Sequence, residues 1–517
     1  MLARVRSAAV LGIEAYPVEV EVDLANGLPS FTTVGLPHGA VREGRERVTA
    51  ALVNTGFELP LRRITANLAP ADVPKAGSAF DLAIAVGILI ASGQLPPVPD
   101  DGFYFGELGL DGGLRPLRGT LPLVRCARVA RARWAIVPAA VAAEGSLVEG
   151  IEVLGAESLR EVAAHLRGGA PIRAAAPAPP GCRSRDQPDF SEVRGQAMAR
   201  RALEIAAAGG HNVLMVGPPG VGKTMLARRV AGLLPALEPE EALEVTAIHS
   251  VAGTLEAGGG LVTERPFRAP HHTVSDAGMA GGGSSPRPGE VSLAHRGVLF
   301  LDEFPEFRRN VLEALRQPLE DGVVTVSRAA MTLTFPARFM LVAAMNPCPC
   351  GFLGDPRRAC LCSPERVRAY QSRISGPLLD RIDLHLSVPP TSLAALADDG
   401  PAETSAAIRA RVVVARDRQR LRPGAPWLNS MLGGAAFDRW CAPDRDGRRL
   451  LEAAAARSAW SARALTRVLR VARTIADLDL ETRVRAAHVA EALQYRRAEP
   501  VSGGGGPPPA AAGTRPG

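Results

Sequence analysis

The chain has 517 residues, of which 46% are hydrophobic and 22% charged, and a formal net charge of +7. That length predicts three or four globular domains rather than one, and the lack of any apolar run near the roughly 18 residues of a membrane span argues against a transmembrane helix. The charge, diluted over the whole chain, is only a weak pointer to an anionic partner, and seven cysteines with four closely grouped point to a reducing, cytoplasmic setting rather than a disulfide scaffold.

In chain order, Met1-Leu-Ala-Arg-Val-Arg-Ser lacks the apolar core of a secretory signal. Residues 1–168 read as a first domain, with Leu82–Leu89 as a short buried helix. Pro74-Lys75-Ala-Gly77-Ser78-Ala79-Phe80-Asp81 and Phe105-Gly-Glu107 through Arg115-Pro116 resemble the proteolytic domain of Lon. The resemblance implies an α+β, ribosomal-S5-like fold. In that family the nucleophilic serine falls at the position of Ala79, and the general-base lysine falls near Leu121. Ser78 stands one position early, and a neutral serine needs an adjacent base. The expectation is the fold without its catalytic dyad, serving as a ring-forming or DNA-contacting platform. The proline- and alanine-rich stretch from Gly168 to Gly181 marks a linker, set at residues 169–189.

Residues 190–395 alternate apolar strand candidates (Val213–Val216, Val298–Leu301, Phe339–Ala344, Leu384–Val388) with helices, which predicts an α/β layered domain. After the first strand come Gly217, Pro218, Pro219, Gly220, Val221, Gly222, Lys223 and Thr224, then a helix from Met225 to Leu233. This is a P-loop. Its glycines turn backbone N–H groups inward around phosphates, and a helix N-terminus adds a favourable dipole. Lys223 and Lys75 are the only lysines among 60 basic residues. An otherwise arginine-writing chain has therefore kept a compact ammonium where β- and γ-phosphates would sit. Thr224 can hold Mg²⁺ through its hydroxyl. The strand ending in Asp302-Glu303 supplies the complement: Asp302 for the Mg²⁺ shell, Glu303 to activate the attacking water.

Leu319 to Phe335 alternates like a hairpin with Arg328 near its turn. It is a candidate DNA contact, against the plainer reading of an ordinary surface hairpin. Arg287, in the glycine-rich 281–289 insert, is a second candidate. His271 and His272 invite a metal reading, but a loop role near the pore or nucleotide is preferred. Asn346, at the end of its strand, could sense the γ-phosphate. Cys348, Cys350, Cys360 and Cys362 form two Cys-x-Cys pairs nine residues apart. A structural Zn²⁺ is the preferred reading, with free buried thiols or redox chemistry as the others.

The P-loop, the acidic strand end, Asn346 and Ser375-Gly-Pro-Leu-Leu-Asp380-Arg381-Ile-Asp383, in that order, look like an AAA+ ATPase. Arg265-Pro-Phe-Arg-Ala-Pro-His271-His272-Thr-Val-Ser275-Asp276, Gly281 through His295 and Asn346-Pro-Cys-Pro-Cys-Gly351 narrow the similarity to the magnesium chelatase-like ComM/YifB family, over residues 1 to about 498. The resemblance implies ATP and Mg²⁺ as cofactors and a ring, hexameric in that family, acting on single-stranded or branched DNA. It implies a helicase promoting branch migration in natural transformation. It also implies that Arg381 reaches a neighbouring subunit's γ-phosphate, with Arg373 as second candidate, and that Arg463 is the second sensor. The plainer reading of Arg381 is a salt bridge with Asp380 or Asp383. The rival functions are a chelatase-type motor subunit driving metal insertion through a partner, and a protein-remodelling ATPase.

Residues 396–498 read as a helical lid. No strand candidate stands out from about residue 404 onward, and Trp460–Leu478 carries apolar residues at helical spacing. Residues 499–517, rich in glycine and proline, read as a disordered tail.

Overall fold

The computed structural model describes the chain apart from residues 37–38, 74, 76, 177–187, 256–259, 284–285, 329–330, 356, 391–402, 459 and 497–517. The expected disordered tail and most of the loose region near 389–403 lie outside the described residues.

The N-terminal part is built on an antiparallel hairpin, Leu2–Leu11 with Glu14–Ala25. Alternation in the second strand sets its faces: Val18, Val20, Val22 and Leu24 are buried while Glu19, Glu21 and Asp23 lie on the other side. Arg63–Ala69 pairs antiparallel with that strand. Ser30–Val34 lies parallel to Arg63–Ala69 on its other side, the two joined by the crossover helix Ala40–Asn54. The apolar run predicted as a buried helix is Asp81–Ala91, with every residue buried. A second, three-stranded parallel sheet follows: Gly102–Tyr104, Trp134–Pro138 and Glu152–Ala156. Lys75 is fully buried, and its Nζ has no hydrogen-bond partner among the described residues. Burial lowers its pKa, against the opposing pull of Asp72.

The stretch expected to be a linker is not loose at its start. Ile172 is buried, and the Ala175 N–H donates to Val153 O at 2.7 Å, so this part packs on the N-terminal sheet. Proline-rich composition reports low helix and strand propensity, not absence of packing.

Residues 190–388 form a five-stranded parallel sheet in the order Phe267–Arg268, Val298–Leu301, Met340–Met345, Val213–Val216, Leu384–Ser387. The strands are short and apolar because both faces are covered. Alternate residues sort between two cores. Val213, Met215, Val298, Phe300, Met340, Val342 and Ala344 face one cluster. Leu214, Leu299, Leu301, Leu341, Ala343 and Met345 face the other, with Phe304, Phe307 and the hairpin residues Val324, Val326 and Phe335.

The first of those clusters also holds the C-terminal helices, including Ser405–Arg420, Arg445–Ser458, Ala462–Leu478 and Ala486–Gln494. Beyond Ser387 the described residues hold no strand. A buried polar network pins these helices to the sheet. Arg467 Nη1 donates to Asp383 Oδ1 at 2.6 Å, the Asn212 N–H donates to Asp383 Oδ2 at 3.1 Å, and His211 Nδ1 lies 3.4 Å from that oxygen. His211 Nε2 pairs with Thr474 Oγ1 at 2.8 Å. Burial pushes the Asp383 carboxyl up, but the hydrogen bond and charge of His211 and the charge of Arg467 outweigh it and hold the group well below the usual carboxylate range.

Removing one partner of a buried pair leaves an uncompensated charge, which costs about 3–5 kcal/mol. Arg467→Ala should therefore lower the free energy of unfolding by an amount of that order, read as a lower urea midpoint. Because the Asp383 pKa is depressed on folding, its contribution is present above the ordinary value of about 3.9 and is lost as pH falls towards the folded value. The acid limb of the stability profile should move to higher pH in the variant. Unchanged urea and acid unfolding would count against this network as the clamp.

Candidate functional site

The carboxyl ends of parallel strands, where neighbouring connections diverge, are where such sheets bind ligands. Register brings three motifs together there. Met345 pairs with Val216, so Asn346 and the P-loop leave the sheet side by side. Leu301 pairs with Ala343, so Asp302 emerges one strand further along. Gly222 has φ of 88° and caps the helix Lys223–Arg229, a backbone position that a side chain would strain. The helix continues as a 3₁₀ turn, Val230–Leu233.

Lys223 is 8% exposed. Its ammonium donates to Gly217 O at 2.7 Å, Pro218 O at 2.8 Å and Asn346 Oδ1 at 3.1 Å. Burial lowers its pKa, with Asp302 opposing. Thr224 Oγ1 donates to Asp302 Oδ2 at 2.6 Å, which brings a hydroxyl and a carboxylate to one point. Hard oxygen donors of this kind suit Mg²⁺. Glu303 adopts a left-handed conformation, φ 50° and ψ 43°, and its N–H donates to Asp302 Oδ1 at 2.9 Å. Such a conformation costs about 1–3 kcal/mol in a residue with a side chain. His272 Nδ1 lies 3.1 Å from Glu303 Oε2, so the histidine pair is at this end of the sheet.

The four cysteines converge. Their sulfurs all lie within 4.8 Å of one another, with Cys348 to Cys350 at 3.4 Å, Cys348 to Cys360 at 3.7 Å and Cys350 to Cys360 at 3.6 Å. Tetrahedral zinc with Zn–S of about 2.3 Å needs sulfurs about 3.8 Å apart, so the donor set fits that ion. The loop leans on the P-loop: a Cβ on Gly351 would lie 2.7 Å from Pro219 Cδ. Gln371 Nε2 braces it by donating to Pro347 O at 3.0 Å.

Arg381 and Arg463 are not here. Both line a cavity of about 790 Å³ at the opposite, amino ends of the strands, with Arg416, Arg420, Arg467 and Arg470. Arg381 pairs with Glu320 and donates to Pro377 O at 2.8 Å, not with Asp380 or Asp383 as its plainer reading had it. Arg463 opens the helix Ala462–Leu478 and is exposed. Arg373, by contrast, donates to Glu306 Oε2 at 2.7 Å, just past the acidic strand end.

The predicted hairpin is Val323–Arg328 paired antiparallel with Met331–Pro336, with Arg328 opposite Met331 at its end. Arg287 is exposed in a two-stranded ladder with Gly281–Gly282. The helix Glu290–Leu293, which follows that ladder, contacts the first hairpin strand, so the two candidate loops share a base.

Three features had no local signal. One is the His272–Glu303 contact. Another is the packing of the N-terminal part on the helix Pro239–Ala252, where Ser250 Oγ donates to the buried Glu144 Oε1 at 2.5 Å. The third is the assembly of the arginine cavity from segments distant in sequence.

Three family descriptions match the chain: "Magnesium chelatase, subunit ChlI" over residues 189–396, "Subunit ChlI of Mg-chelatase" over 20–141, and "Magnesium chelatase, subunit ChlI C-terminal" over 402–496. The chain is 44% identical over 506 residues to the uncharacterized protein YifB of Salmonella typhimurium, covering 96% of this chain and 97% of that one. It is 45% identical over 502 residues to the competence protein ComM of Haemophilus influenzae, with the same coverage. A magnesium-chelatase 38 kDa subunit of Cereibacter sphaeroides is 27% identical over 174 residues, 31% of this chain and 52% of that one.

Proposed function

The chain belongs to the magnesium chelatase-like family of the ComM and YifB type, an AAA+ ATPase motor family, and from that premise we propose that it is a ring motor that spends ATP on moving DNA. The observation that carries the ATPase reading is the joining of Lys223 to Asn346 and of Thr224 to Asp302 at the carboxyl ends of adjacent parallel strands. A triphosphate is a stronger acceptor than the loop carbonyls and would draw the Lys223 ammonium onto its β- and γ-oxygens. Thr224 and Asp302 would hold Mg²⁺, which neutralises charge on the transferring phosphate. Glu303 would take the proton of the attacking water, and Asn346 would orient the γ-phosphate.

Geometry supports the ring. Val388 touches the P-loop strand, its N–H donating to Val216 O at 2.8 Å, while Arg381 precedes the start of the same strand, Leu384–Ser387. At about 3.3 Å per residue, that separation is about 15–20 Å. An arginine so placed cannot serve its own chain's nucleotide, so Arg381 and Arg463 act on the nucleotide of a second copy. A hexamer is the expected closure.

DNA is the proposed cargo because two loops that share a base carry Arg328 and Arg287, and because ComM is a competence protein. Phosphate contacts of this kind carry little base specificity. Branch migration during transformation is the activity proposed. The four-cysteine loop holds structural zinc, and the N-terminal part is a Lon-like platform without peptidase activity. The chelatase-type alternative predicts stimulation by a protein partner instead of by DNA.

Glu303→Gln should retain ATP binding and lose about 10²–10⁴-fold in kcat. Mixing Arg381→Ala with Lys223→Ala subunits should restore part of the turnover that neither has alone. No recovery in demonstrably mixed rings would refute action across the subunit boundary.

Metal analysis of protein purified without metal resin should find about one zinc per chain, lost when Cys348 and Cys350 are both serine. Metal-free protein with full activity would remove zinc from the proposal.

Single-stranded and four-way DNA should stimulate ATP turnover. Arg328→Ala should weaken DNA binding to all sequences alike and lower the salt slope by about one unit, with basal ATPase intact. A motor indifferent to every DNA structure would overturn the DNA reading.

A further inference from the structure

The hairpin that carries Arg328 is a two-stranded sheet of its own, outside the five-stranded sheet. Two strands alone are marginal in water, so such a ribbon takes its position from what it packs against. One face packs inward: Val324, Val326 and Phe335 are buried in the cluster that contains Phe304 and Phe307, with Leu333 laid on it. A residue from the start of the chain covers the same cluster. Ile13, in the turn of the N-terminal hairpin, packs against it. Beside Ile13, a Cβ on Gly12 would lie 3.9 Å from Thr334 O, which puts this turn against the second strand of the Arg328 hairpin.

The turn is built to present that side chain. Leu11 pairs with Glu14, so only Gly12 and Ile13 bridge the two strands. Gly12 has φ of 67°, which suits the first position of a two-residue hairpin turn. The ladder continues unbroken from Leu11 and Glu14 back to Leu2 and Asp23, so the turn stands at the end of a long paired arm.

The N-terminal part has a second hold on the same region. Ala247 of the helix Pro239–Ala252 is buried in a cluster with Leu121 and Val124, and the Gly119 N–H donates to Ser250 O at 3.2 Å. That helix also contacts the strand Arg287–Pro288. The N-terminal part therefore bears on both arginine loops, directly at the Arg328 hairpin and through one helix at Arg287.

We propose that Ile13 is a positioning residue, through which the N-terminal part braces the Arg328 hairpin in the orientation that meets DNA. Ile13 carries neither charge nor proton, so its effect comes by packing alone. The consequence for DNA rests on the reading of Arg328 as a phosphate contact.

The test uses full-length Ile13→Ser and Ile13→Leu proteins, each alone and combined with Arg328→Ala. Amide hydrogen exchange across residues 323–336 should speed up about fivefold in Ile13→Ser, the scale of losing a half-buried isoleucine contact. It should return towards wild type in Ile13→Leu. The concentration of a mixed-sequence single-stranded oligonucleotide that half-maximally stimulates ATP turnover should rise by about the same factor in Ile13→Ser, with basal kcat and KM for ATP unchanged. In the Arg328→Ala background the serine substitution should add nothing further, because both act through one hairpin. A residue that only stabilised the N-terminal part would leave hairpin exchange alone and add its full effect to that of Arg328→Ala. Wild-type exchange in the Ile13→Ser hairpin overturns the brace. Faster exchange with a wild-type response to the oligonucleotide, while Arg328→Ala is impaired, overturns the positioning role. If Arg328→Ala itself responds to the oligonucleotide normally, the phosphate-contact reading fails on its own, and hairpin exchange decides the brace.

Discussion

The polarity of one sheet governs the rest of the molecule. All five strands of the central sheet run the same way, so every connection that leaves a strand does so at one end and every connection that enters does so at the other. Lys223, Thr224, Asp302, Glu303 and Asn346 leave strands; Arg381 and Asp383 precede one. Arg381 is therefore held apart from Lys223, Asp302 and Glu303 by the length of the sheet. Within one chain the arginines neutralise local carboxylates, as Arg381 does with Glu320.

Two further contacts tie outlying parts to that frame. Asp383 receives the C-terminal helices through Arg467 and His211. The helix Pro239–Ala252 touches three regions. Its Ser250 bonds Glu144 of the N-terminal part, and Glu244 pairs with His295 and Arg296 just ahead of the acidic strand. Glu238, at its N-cap, pairs with Arg420 of the C-terminal helices. Burial raises the pKa of Glu144, while hydrogen bonds from Ser250 and Leu121 counter it. Burial wins, so docking of the two parts disfavours the charged carboxylate at that junction.

The central strands were legible because a four-residue apolar run ending in a polar residue has few other readings: Val213–Val216 and Val298–Leu301 stand where the sequence predicts them. Phe339–Ala344 is shifted by one residue to Met340–Met345, and Leu384–Val388 ends one early at Ser387, because pairing partners rather than composition decide where a strand stops. The convergence of the cysteines was legible from spacing. Arg463 was matched by its position in a helix, but motif order along a chain does not say which end of a sheet a helix reaches. Both His272 and Glu303 stood out in their own segments, but nothing in either segment paired them; only the sheet brings them together.

The burial of Lys75 has a consequence for chemistry on this protein. Of its two lysines, Lys75 is fully enclosed and Lys223 is 8% exposed with its pKa lowered by burial. An amine that loses its proton more readily presents more of its nucleophilic free base at neutral pH. Acylating reagents, which on most proteins scatter over dozens of surface lysines, find on this surface almost nothing but guanidinium groups. Besides the α-amino group of Met1, the side-chain amine nearer the surface sits in the phosphate loop, so acylation at Lys223 reports whether that loop opens to reagent or is filled.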